Sequence, residues 1–566
     1  MVALRTALAA TAALAVAAAG AAPAAAAADT HAGQTAKPPE RRVFLLGLRQ
    51  RGDSLRFASL VSNPASPSYR QFLTPRAFRA RFSPPRSVVR RVGRYLASQP
   101  GVRKVELSSD RSLVLAVLTP RAGQRLFCVR GGSAPTGGIC RPRALRGLVG
   151  HVSAGELFQP GGAATRSAPA QAAQECADAQ TPSPFTPAQL STAYGVDALH
   201  ARGLNGSGIR VATLSGQEVD ASGFRIWARC FGLPSPAVRQ FAMVGATRLT
   251  GTAPDETVLD VEALASLAPG LEQITPIYVP LDQSFGNSFV LFMLGALDPA
   301  RNGGRLPHIL SISDAVCESR FTRAQLLLGR RLLAQAAALG ITTLAASGDL
   351  GFRGCQVPRP GANFPASSPF VTSVGGTQLT LTGGNEIASQ VVWSTFATEG
   401  AEGAGSGGGP STMWPRPRFQ QAPGIGPQLQ SGSPTRLGPD VASMGSFTPG
   451  ISIFDKDGGG WGGGGGTSAA TPLTAAIVAL ALQQERAAGR PALGSLPALL
   501  YQLARGPAYD SIFFDITSGT SAQRPGTPAG QSPAGGAAQP GYDMATGLGS
   551  LKAAAFAEAV ASTPVP

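Results

Sequence analysis

From Thr186 onward, short apolar runs alternate with segments of helical periodicity, and this alternation most constrains the fold of the 566-residue chain. The apolar runs are Ile209–Leu214, Gln273–Val279, His308–Ile312 and Ile341–Ala346, and the helical segments are Ala221–Phe231, Glu256–Leu267, Asn287–Leu297 and Thr322–Leu339. Strands that alternate with helices predict an α/β fold with a doubly wound parallel sheet. Functional sites in such sheets collect at the C-terminal ends of the strands.

The region before this alternation has a different pattern. Residues 40–158 predict a compact α+β domain with strand Arg42–Leu48, helices Ser54–Val61, Thr74–Phe82 and Ser87–Ser98, and paired strands Val102–Leu107 and Ser112–Leu118. Residues 159–184 are rich in Gly, Ala, Pro, Ser and Gln and predict an exposed linker of the kind that proteases cut. A simple interdomain tether is the alternative, and residues 185–566 then form the second domain.

The N-terminus has the pattern of a signal peptide over residues 1–28. Arg5 gives a positive start, Thr6 to Gly20 is apolar, and Ala26-Ala27-Ala28 resembles a cleavage site. We therefore expect a secreted, extracellular protein, and no other run is long and apolar enough to predict a membrane span. Export favours three disulfides among the six cysteines, with 15 pairings open; Cys128 and Cys140 are close enough in sequence to predict a pair.

Positive charge is concentrated at the front of the chain. Residues 1–170 contain 25 Lys and Arg but 6 Asp and Glu, whereas residues 171–566 contain 23 Lys and Arg and 26 Asp and Glu. Such a basic front predicts binding to an anionic partner or docking on an acidic face of the second domain. Few aromatic residues accompany the arginines, so we expect no nucleic acid partner.

A glycine run near the C-terminal third leads to the residue that we predict to be a nucleophile. Gly462–Gly466 precedes Thr467 and Ser468, and Pro472 is predicted to lie in the first turn of an apolar helix, Leu473–Gln484. A serine at a helix N-terminus lies beside free backbone N–H groups that favour negative charge. This arrangement suits a nucleophile that builds an oxyanion beside itself. The alternative is an ordinary N-cap serine after a glycine linker.

A serine nucleophile needs a base, and the histidines do not provide one in a recognisable motif. The four histidines are His31, His151, His200 and His308. Carboxylates are the next candidates, and Glu256 and Asp260 share one helix face at i, i+4. Two like charges there raise one pKa, so that the pair can hold a shared proton and accept the serine proton best in acid. A solvated helix face is the alternative.

Two further sets of carboxylates follow in the chain. Asp349 comes after the apolar strand Ile341–Ala346, where a buried, protonated carboxyl can donate a hydrogen bond to an oxyanion. A turn-forming Asp is the alternative. Near the end, Asp515 and Asp543 lie in loops with backbone carbonyls, a donor set typical of Ca²⁺ sites.

These residues together resemble the sedolisins, the serine-carboxyl peptidases, in their pro-form. Gly466-Thr467-Ser468-Ala469-Ala470-Thr471-Pro472 is similar to the family's nucleophile motif, Glu256 and Asp260 match its Glu-xxx-Asp pair, and Asp349 matches its oxyanion Asp. The segments Phe185–Gly195, Ser406–Gly409, Pro439–Val441 and Asp543–Gly549 also resemble the family. The front segment Pro64–Thr74 resembles its activation domain. The resemblance runs from about residue 40 to the end.

The resemblance implies a subtilisin-like doubly wound catalytic domain, preceded by a small ferredoxin-like prodomain that acts as an intramolecular inhibitor. It implies an acid-active, self-activating endopeptidase for polypeptide substrates, with tripeptidyl-peptidase activity as a variant, and we expect a monomer. Ser468 would attack, Glu256 would be the base, Asp260 would orient Glu256, and Asp349 would hold the oxyanion. It also implies one structural Ca²⁺ bound by Asp515, Ile516, Gln539, Gly541 and Asp543.

Departures from the family pattern bear on substrate preference. Ser311–Ala315 lacks the aromatic-Gly pair of many relatives, and an insertion, Ser521–Ala538, separates the two halves of the ion site. Subtilisins share the serine motif, but the chain lacks their catalytic His-Gly context and oxyanion Asn. The remaining alternatives are a catalytically impaired homologue that binds peptides or surface material, and a basic surface-binding protein.

Overall fold

The computed structural model describes residues 42–129, 139–156, 176, 184–216, 218–243, 256–280, 286–352, 361–399, 403–421, 424–430, 432–456, 458–522 and 536–566. The front domain (residues 42–156) contains β1 (Arg42–Leu48), α1 (Ser54–Val61), α2 (Pro75–Phe82), α3 (Arg86–Ala97), β2 (Val102–Leu107), β3 (Leu113–Leu118), α4 (Pro120–Phe127) and β4 (Val149–Glu156). These elements and those of the main domain (residues 184–566) belong to one compact unit, Pro38–Pro566.

The main domain begins with α5 (Pro187–Ala193), α6 (Asp197–His200), β5 (Arg210–Ser215), α7 (Ala221–Cys230), β6 (Ala237–Val238), β7 (Phe241–Ala242), α8 (Glu256–Leu267), β8 (Gln273–Tyr278), α9 (Gly286–Ala296), β9 (Ile309–Ile312), β10 (Val316–Cys317), α10 (Arg323–Ala338) and β11 (Thr342–Ala346). It continues with β12 (Asn363–Phe364), β13 (Thr372–Leu381), β14 (Ile387–Val392), α11 (Phe396–Glu399), β15 (Gly409–Pro415), β16 (Thr435–Gly438), β17 (Val441–Met444), β18 (Ile451–Asp455) and β19 (Gly460–Gly464). It ends with α12 (Gly466–Ala487), α13 (Pro497–Ala504), α14 (Tyr509–Ile512), β20 (Phe513–Phe514), β21 (Ser550–Leu551) and α15 (Ala553–Ser562).

The front domain is an antiparallel sheet in the order β2-β3-β1-β4 with helices against it. The predicted strands and helices agree with the structure to within one residue, and Thr74 caps α2 by accepting a hydrogen bond from Ala77 N at 3.2 Å. Sequence analysis missed α4 and β4. Glycines interrupt both segments, and glycine weakens the propensity signal of helices and strands alike.

The main domain is built on a nine-stranded sheet in the order β14-β13-β11-β9-β5-β8-β6, with β17 beside β13 and β7 beside β8. The pairs are parallel except β13–β14. Successive residues of a strand point to opposite faces. Val211 and Ile309 therefore pack in the core that holds α8 and α12, whereas Ala212 and Leu310 pack with α9 and α10. The predicted doubly wound α/β fold is confirmed.

The front domain packs on the face of the main domain that carries α9 and α10. Val43 and Leu45 of β1 join one buried apolar cluster with Phe289 of α9 and Leu328 of α10. Alternate residues of β1 point the other way, into the front domain's own core against α3 and α4. The contact is thus a shared hydrophobic core rather than a surface attraction.

One buried ion pair crosses this contact. Arg70 and Glu485 are 2.6 Å apart with side chains 0% and 1% exposed, and Arg70 also donates to the Ala492 carbonyl at 2.8 Å. Charge therefore contributes to the docking of the front domain, as expected, through this pair among the described residues. Apolar packing dominates the contact, and α10 brings Arg331, itself a cation, against the Leu48 carbonyl at 2.9 Å.

Helix α12 runs through the core that it shares with α8. It is the one described helix long and apolar enough to cross a membrane, and 89% of its most apolar window is buried inside the protein, as in a core helix. Disulfides join Cys128 to Cys140, as predicted, and Cys176 to Cys230. Cys317 is also disulfide-bonded.

Candidate active site

The predicted carboxylates and serine converge on one edge of the main sheet. Strands β9 and β11 are parallel neighbours, Ser313 directly follows β9, and Asp349 lies three residues beyond β11. The N-terminus of α8 is tied to the end of the next strand, β5, by a hydrogen bond between the Thr257 and Ser215 hydroxyls. This edge is the one at which the carboxyl ends of the parallel strands meet.

Ser468 is the third residue of α12, which begins at Gly466. Gly466 has a φ of +80°, and a Cβ there would lie 2.6 Å from Asp349 Oδ2, so this position requires glycine. The prediction that Pro472 lies in the first turn is wrong, because the helix begins six residues earlier. Glycine and proline are poor helix formers, but buried packing along α12 overrides their propensity.

Asp349 is bound to the residue that precedes Ser468. Its Oδ1 accepts hydrogen bonds from the Thr467 backbone N at 2.8 Å and the Thr467 hydroxyl at 2.7 Å. The Thr467 Oγ1 in turn accepts from Gly348 N at 3.0 Å. Burial raises the pKa of Asp349 above its ordinary value, and the bonds from Thr467 oppose that shift. With Oδ1 already accepting two donors, Oδ2 is the oxygen that can carry a proton.

Asp260 reaches the backbone of Ser468 through a residue that sequence analysis did not single out. The Ser313 hydroxyl is hydrogen-bonded to Asp260 Oδ1, and the same Oγ lies 3.2 Å from the Ser468 carbonyl oxygen. Asp260 is 0% exposed, so the alternative of a solvated helix face is wrong for this residue. The position of Ser313 at a strand end was the signal that could have drawn attention to it.

Glu256 is the first residue of α8 and is half-buried, one turn before Asp260. The glycine run lies directly against this helix, since a Cβ at Gly464 would be 2.5 Å from Leu259 Cδ1. The structure therefore brings Asp260, Asp349 and the backbone of Ser468 together, with Glu256 on the helix that packs beside α12.

The described histidines lie elsewhere. His200 contacts the Leu267 carbonyl at the far end of α8, and His308 precedes β9 at the opposite edge of the sheet, where its Nδ1 accepts from Arg210 N at 3.1 Å. His151 belongs to β4 of the front domain, and His31 lies outside the described residues. A serine–histidine arrangement is therefore not formed by the part of the chain that the structure describes.

The predicted ion ligands lie in one loop cluster behind the sheet. Asp515 Oδ2 accepts from Gly541 N at 2.9 Å, and Asp543 Oδ2 accepts from Gln539 N at 3.2 Å. Asp543 Oδ1 also accepts from the backbone of Ala545 and Thr546. Asp515 Oδ1 is buried and makes no hydrogen bond within the described ranges.

Two carboxylates with adjacent backbone carbonyls have the donor chemistry of a hard-cation site, and the buried, unbonded oxygen of Asp515 fits such a group. No group of three or more His, Cys, Asp or Glu able to hold a metal is found among the described residues. The ion site therefore depends on backbone carbonyls, including that of the buried Ile516.

Comparisons with known proteins agree with this geometry. Residues 29–131 match the family model described as the pro-kumamolisin activation domain. Kumamolisin from Bacillus sp. (strain MN-32) is 33% identical over 377 residues, which cover 65% of this chain and 62% of kumamolisin. Human tripeptidyl-peptidase 1 is 30% identical over 48% of this chain and 45% of its own length. The matched region thus spans less than two thirds of these relatives.

A solved structure supports the fold. Pseudomonas sedolisin, a serine-carboxyl proteinase complexed with pseudo-iodotyrostatin, has a TM-score of 0.55 and 23% identity, covering 68% of this chain and 99% of that one. The activation-domain match at the front, the kumamolisin match and this shared fold together support a sedolisin-family precursor with an N-terminal prodomain.

Proposed function

We propose that this chain is the secreted precursor of an acid-active serine peptidase that hydrolyses peptide bonds through an acyl-enzyme. The observation that carries the proposal is the convergence of Asp260, through Ser313, and Asp349, through Thr467, on the helix turn that holds Ser468. Similarity to kumamolisin supports the same chemistry.

In the proposed reaction, Ser468 Oγ attacks the scissile carbonyl carbon while its proton moves to Glu256. The C–N bond then breaks as Glu256 returns that proton to the leaving amine. Water attacks the resulting ester, again with Glu256 as the base, and the acid product leaves. Asp260 is buried one turn from Glu256 and orients it.

The oxyanion would be stabilised by the Ser468 backbone N–H, at the positive end of α12, and by Asp349. Burial raises the pKa of Asp349, so its neutral form persists to higher pH than that of an ordinary Asp. A neutral carboxyl can donate a hydrogen bond, whereas a carboxylate would repel the oxyanion. Activity is therefore expected to fall as the pH rises through this raised pKa.

The front domain would act as the intramolecular inhibitor, as an activation-domain match supports. Its ion pair reaches α12 at Glu485, 17 residues beyond Ser468, or roughly 25 Å along the helix. Cleavage within the linker between the two domains would release the front domain.

The disulfide from Cys176 to Cys230 limits where that cut is effective. A cut before Cys176 frees the front domain, but a cut between residues 177 and 184 leaves it covalently attached to α7. We therefore expect the productive cut to fall between about residues 157 and 175.

The decisive experiment follows purified precursor at pH 4 and pH 7, with wild type beside Ser468→Ala and His200→Gln. Chain mass with and without reductant and digestion of an unfolded protein are measured. We expect loss of the front 157–175 residues and proteolysis in acid, both abolished in Ser468→Ala and retained in His200→Gln. Peptides with a blocked N-terminus then separate endopeptidase from tripeptidyl-peptidase activity, since only the former cuts them.

Two outcomes would contradict the proposal. A stable full-length chain without proteolysis at either pH would favour the impaired, peptide-binding homologue. Proteolysis with an optimum near pH 8, or its loss in His200→Gln, would reject the carboxylate mechanism.

We also propose that Asp515, Asp543 and the carbonyls of Ile516, Gln539 and Gly541 hold one structural Ca²⁺. The ion would neutralise the buried carboxylate of Asp543 and the half-buried carboxylate of Asp515, which have no cationic side-chain partner among the described residues. The test measures Tm with EDTA and with Ca²⁺ for wild type and Asp515→Asn. Ca²⁺ should raise Tm by several degrees in wild type only; equal Tm values in both conditions would reject the site.

A further inference from the structure

Helix α12 lacks the backbone hydrogen bond that would normally be donated to the carbonyl of Ser468. The donor to the Ser468 carbonyl would be the backbone N–H of residue 472, four residues later, and Pro472 has none. The Ser468 carbonyl is partly buried, and a carbonyl shielded from water without a donor is costly, so another group is expected to take the place of the missing N–H. Ser313 Oγ, 3.2 Å from the Ser468 oxygen, is that group.

The same Ser313 hydroxyl is also hydrogen-bonded to Asp260 Oδ1. One side chain at the end of β9 thus joins the carboxylate on α8 to the backbone of the serine on α12. Ser313 is 4% exposed, so solvent does not compete strongly for its hydroxyl. Three elements that carry different parts of the site meet at this one oxygen.

We infer that Ser313 is a positioning residue that fixes the first turn of α12 relative to Asp260, and so holds Ser468 in line with Glu256. The inference rests on the proposed function. A hydroxyl can accept one hydrogen bond while it donates another. When Asp260 is protonated, the Ser313 hydroxyl accepts from Asp260 and donates to the Ser468 carbonyl. When Asp260 is ionised, the hydroxyl donates to Asp260. Removing it leaves the Ser468 carbonyl without either its helix donor or its substitute.

The consequence falls on the reaction rather than on substrate binding. Ser313 acts on the substrate only through Ser468 and Asp260, and a misplacement of about 1 Å between reacting groups can cost on the order of 100-fold in rate. Loss of Ser313 should therefore lower kcat while the binding of the peptide along the cleft is retained.

The test compares Ser313→Ala and Ser313→Thr with a matched control, Ser311→Ala. Ser311 lies on β9, two residues before Ser313, and is fully buried, but its hydroxyl has no hydrogen-bond partner within the described part of the chain. Each variant is prepared as the full precursor, its Tm is measured, and it is processed in acid by a trace of wild-type enzyme, so that slow self-cleavage does not limit the comparison.

We expect Ser313→Ala to lower kcat by about 10- to 100-fold with KM within about twofold of wild type. Ser313→Thr, which keeps the hydroxyl, should recover most of kcat, and Ser311→Ala should match wild type. A peptide aldehyde gives a second measurement, because it binds by forming a bond between Ser468 Oγ and the aldehyde carbon while the serine proton passes to the new oxygen. Its affinity should fall in Ser313→Ala in parallel with kcat.

The inference is overturned if Ser313→Ala has the kcat and aldehyde affinity of Ser311→Ala, or if KM rises while kcat is unchanged. Failure of the proposed function is distinguishable, because wild type itself would then be inactive. If Ser313→Ala does not fold, Ser313→Thr decides the question. A Ser313→Thr variant with the Tm of wild type but a kcat as low as that of Ser468→Ala would show that the hydroxyl does not position Ser468.

Discussion

The carboxyls of the main domain and the cations at its contact with the front domain respond to burial in opposite directions. Burial raises the pKa of Asp349 and of Glu262, and it raises that of Asp314 to about 6. Burial and nearby arginines lower the pKa of His151 to about 4, and burial lowers that of Arg331 to about 10. Removal from water disfavours the charged form in each case.

The comparison predicts opposite effects of acid on the two regions. A group with a raised folded pKa contributes stability at low pH, and this is lost as the pH rises through that pKa. A histidine with a lowered pKa contributes stability above its ordinary value of 6.5, and this is lost as the pH falls toward about 4. Acid is therefore expected to weaken the contact with the front domain while it favours the buried carboxyls of the main domain, in line with the proposed activation in acid.

The largest expected effect concerns the buried ion pair between Arg70 and Glu485 at the contact of the two domains. In Arg70→Met, Glu485 keeps Arg490, 3.0 Å away, as its cationic partner, and two backbone carbonyls lose their donor. Breaking a buried ion pair costs about 3 kcal/mol. We expect the precursor to be cut near the linker by an added protease at neutral pH, where wild type resists.

Lys104→Met is the matched control, because its ion pair with Glu106 is exposed on the front domain. Exposed pairs contribute about 0–1 kcal/mol, so this variant should resist protease as wild type does. Equal resistance of Arg70→Met and Lys104→Met would mean that apolar packing alone holds the front domain.

A second prediction tests the acid-stable side of the comparison. Glu262 is 1% exposed and accepts from Phe454 N at 2.8 Å, and burial raises its pKa well above the ordinary value. Glu262→Gln keeps an acceptor but cannot ionise, so it should raise the free energy of unfolding of the processed domain at neutral pH, on the order of 1 kcal/mol, with little change in acid. Denaturant unfolding at pH 4 and pH 7 measures this.

Asp455→Asn tests the same point from a neighbouring residue, because the charge of Asp455 contributes to the raised pKa of Glu262. Its effect at neutral pH should have the same direction as that of Glu262→Gln and be smaller. If Glu262→Gln were equally destabilised at both pH values, the buried carboxyl would be needed for packing. Its ionisation would then not be what lowers the free energy of unfolding at neutral pH.

Local patterns predicted most of the fold, because they are periodic. Helix α8 has the bounds that its sequence predicted, and Asp349 lies where the end of an apolar strand predicted it. The misses have physical causes. Helix α12 begins among glycines because packing overrides propensity, and Ser313 acquires its contacts only when three elements that are distant in sequence meet.

The docking of the front domain shows the same limit. Net charge predicted an electrostatic contact, but a count of charges does not say which side chains are buried. Among the described residues, the contact buries apolar strands and one ion pair, Arg70 and Glu485. The roles of Ser468 and Glu256 stay predictions until their variants are measured.

The smallest expected effect tests the acid-sensitive side of the comparison through His151. Its ring lies in β4 beside Gly47, which also contacts Leu328 of α10. The charged groups that lower its pKa are Arg331 of α10 together with Arg141 and Arg49 of the front domain. A second positive charge among these arginines in acid would repel them and loosen the contact.

In His151→Gln this acid-dependent repulsion is absent. The pH at which half of the precursor is processed by a fixed amount of added wild-type enzyme should therefore fall, by on the order of 0.5 pH unit once solvent screening is allowed for. His308→Gln is the matched control, because burial and Arg210 lower the pKa of His308 to about 3 at a site within the main domain. If both variants shift the midpoint equally, the titration acts on the stability of the main domain; if neither does, acid opens the precursor through carboxylates rather than through the front-domain contact.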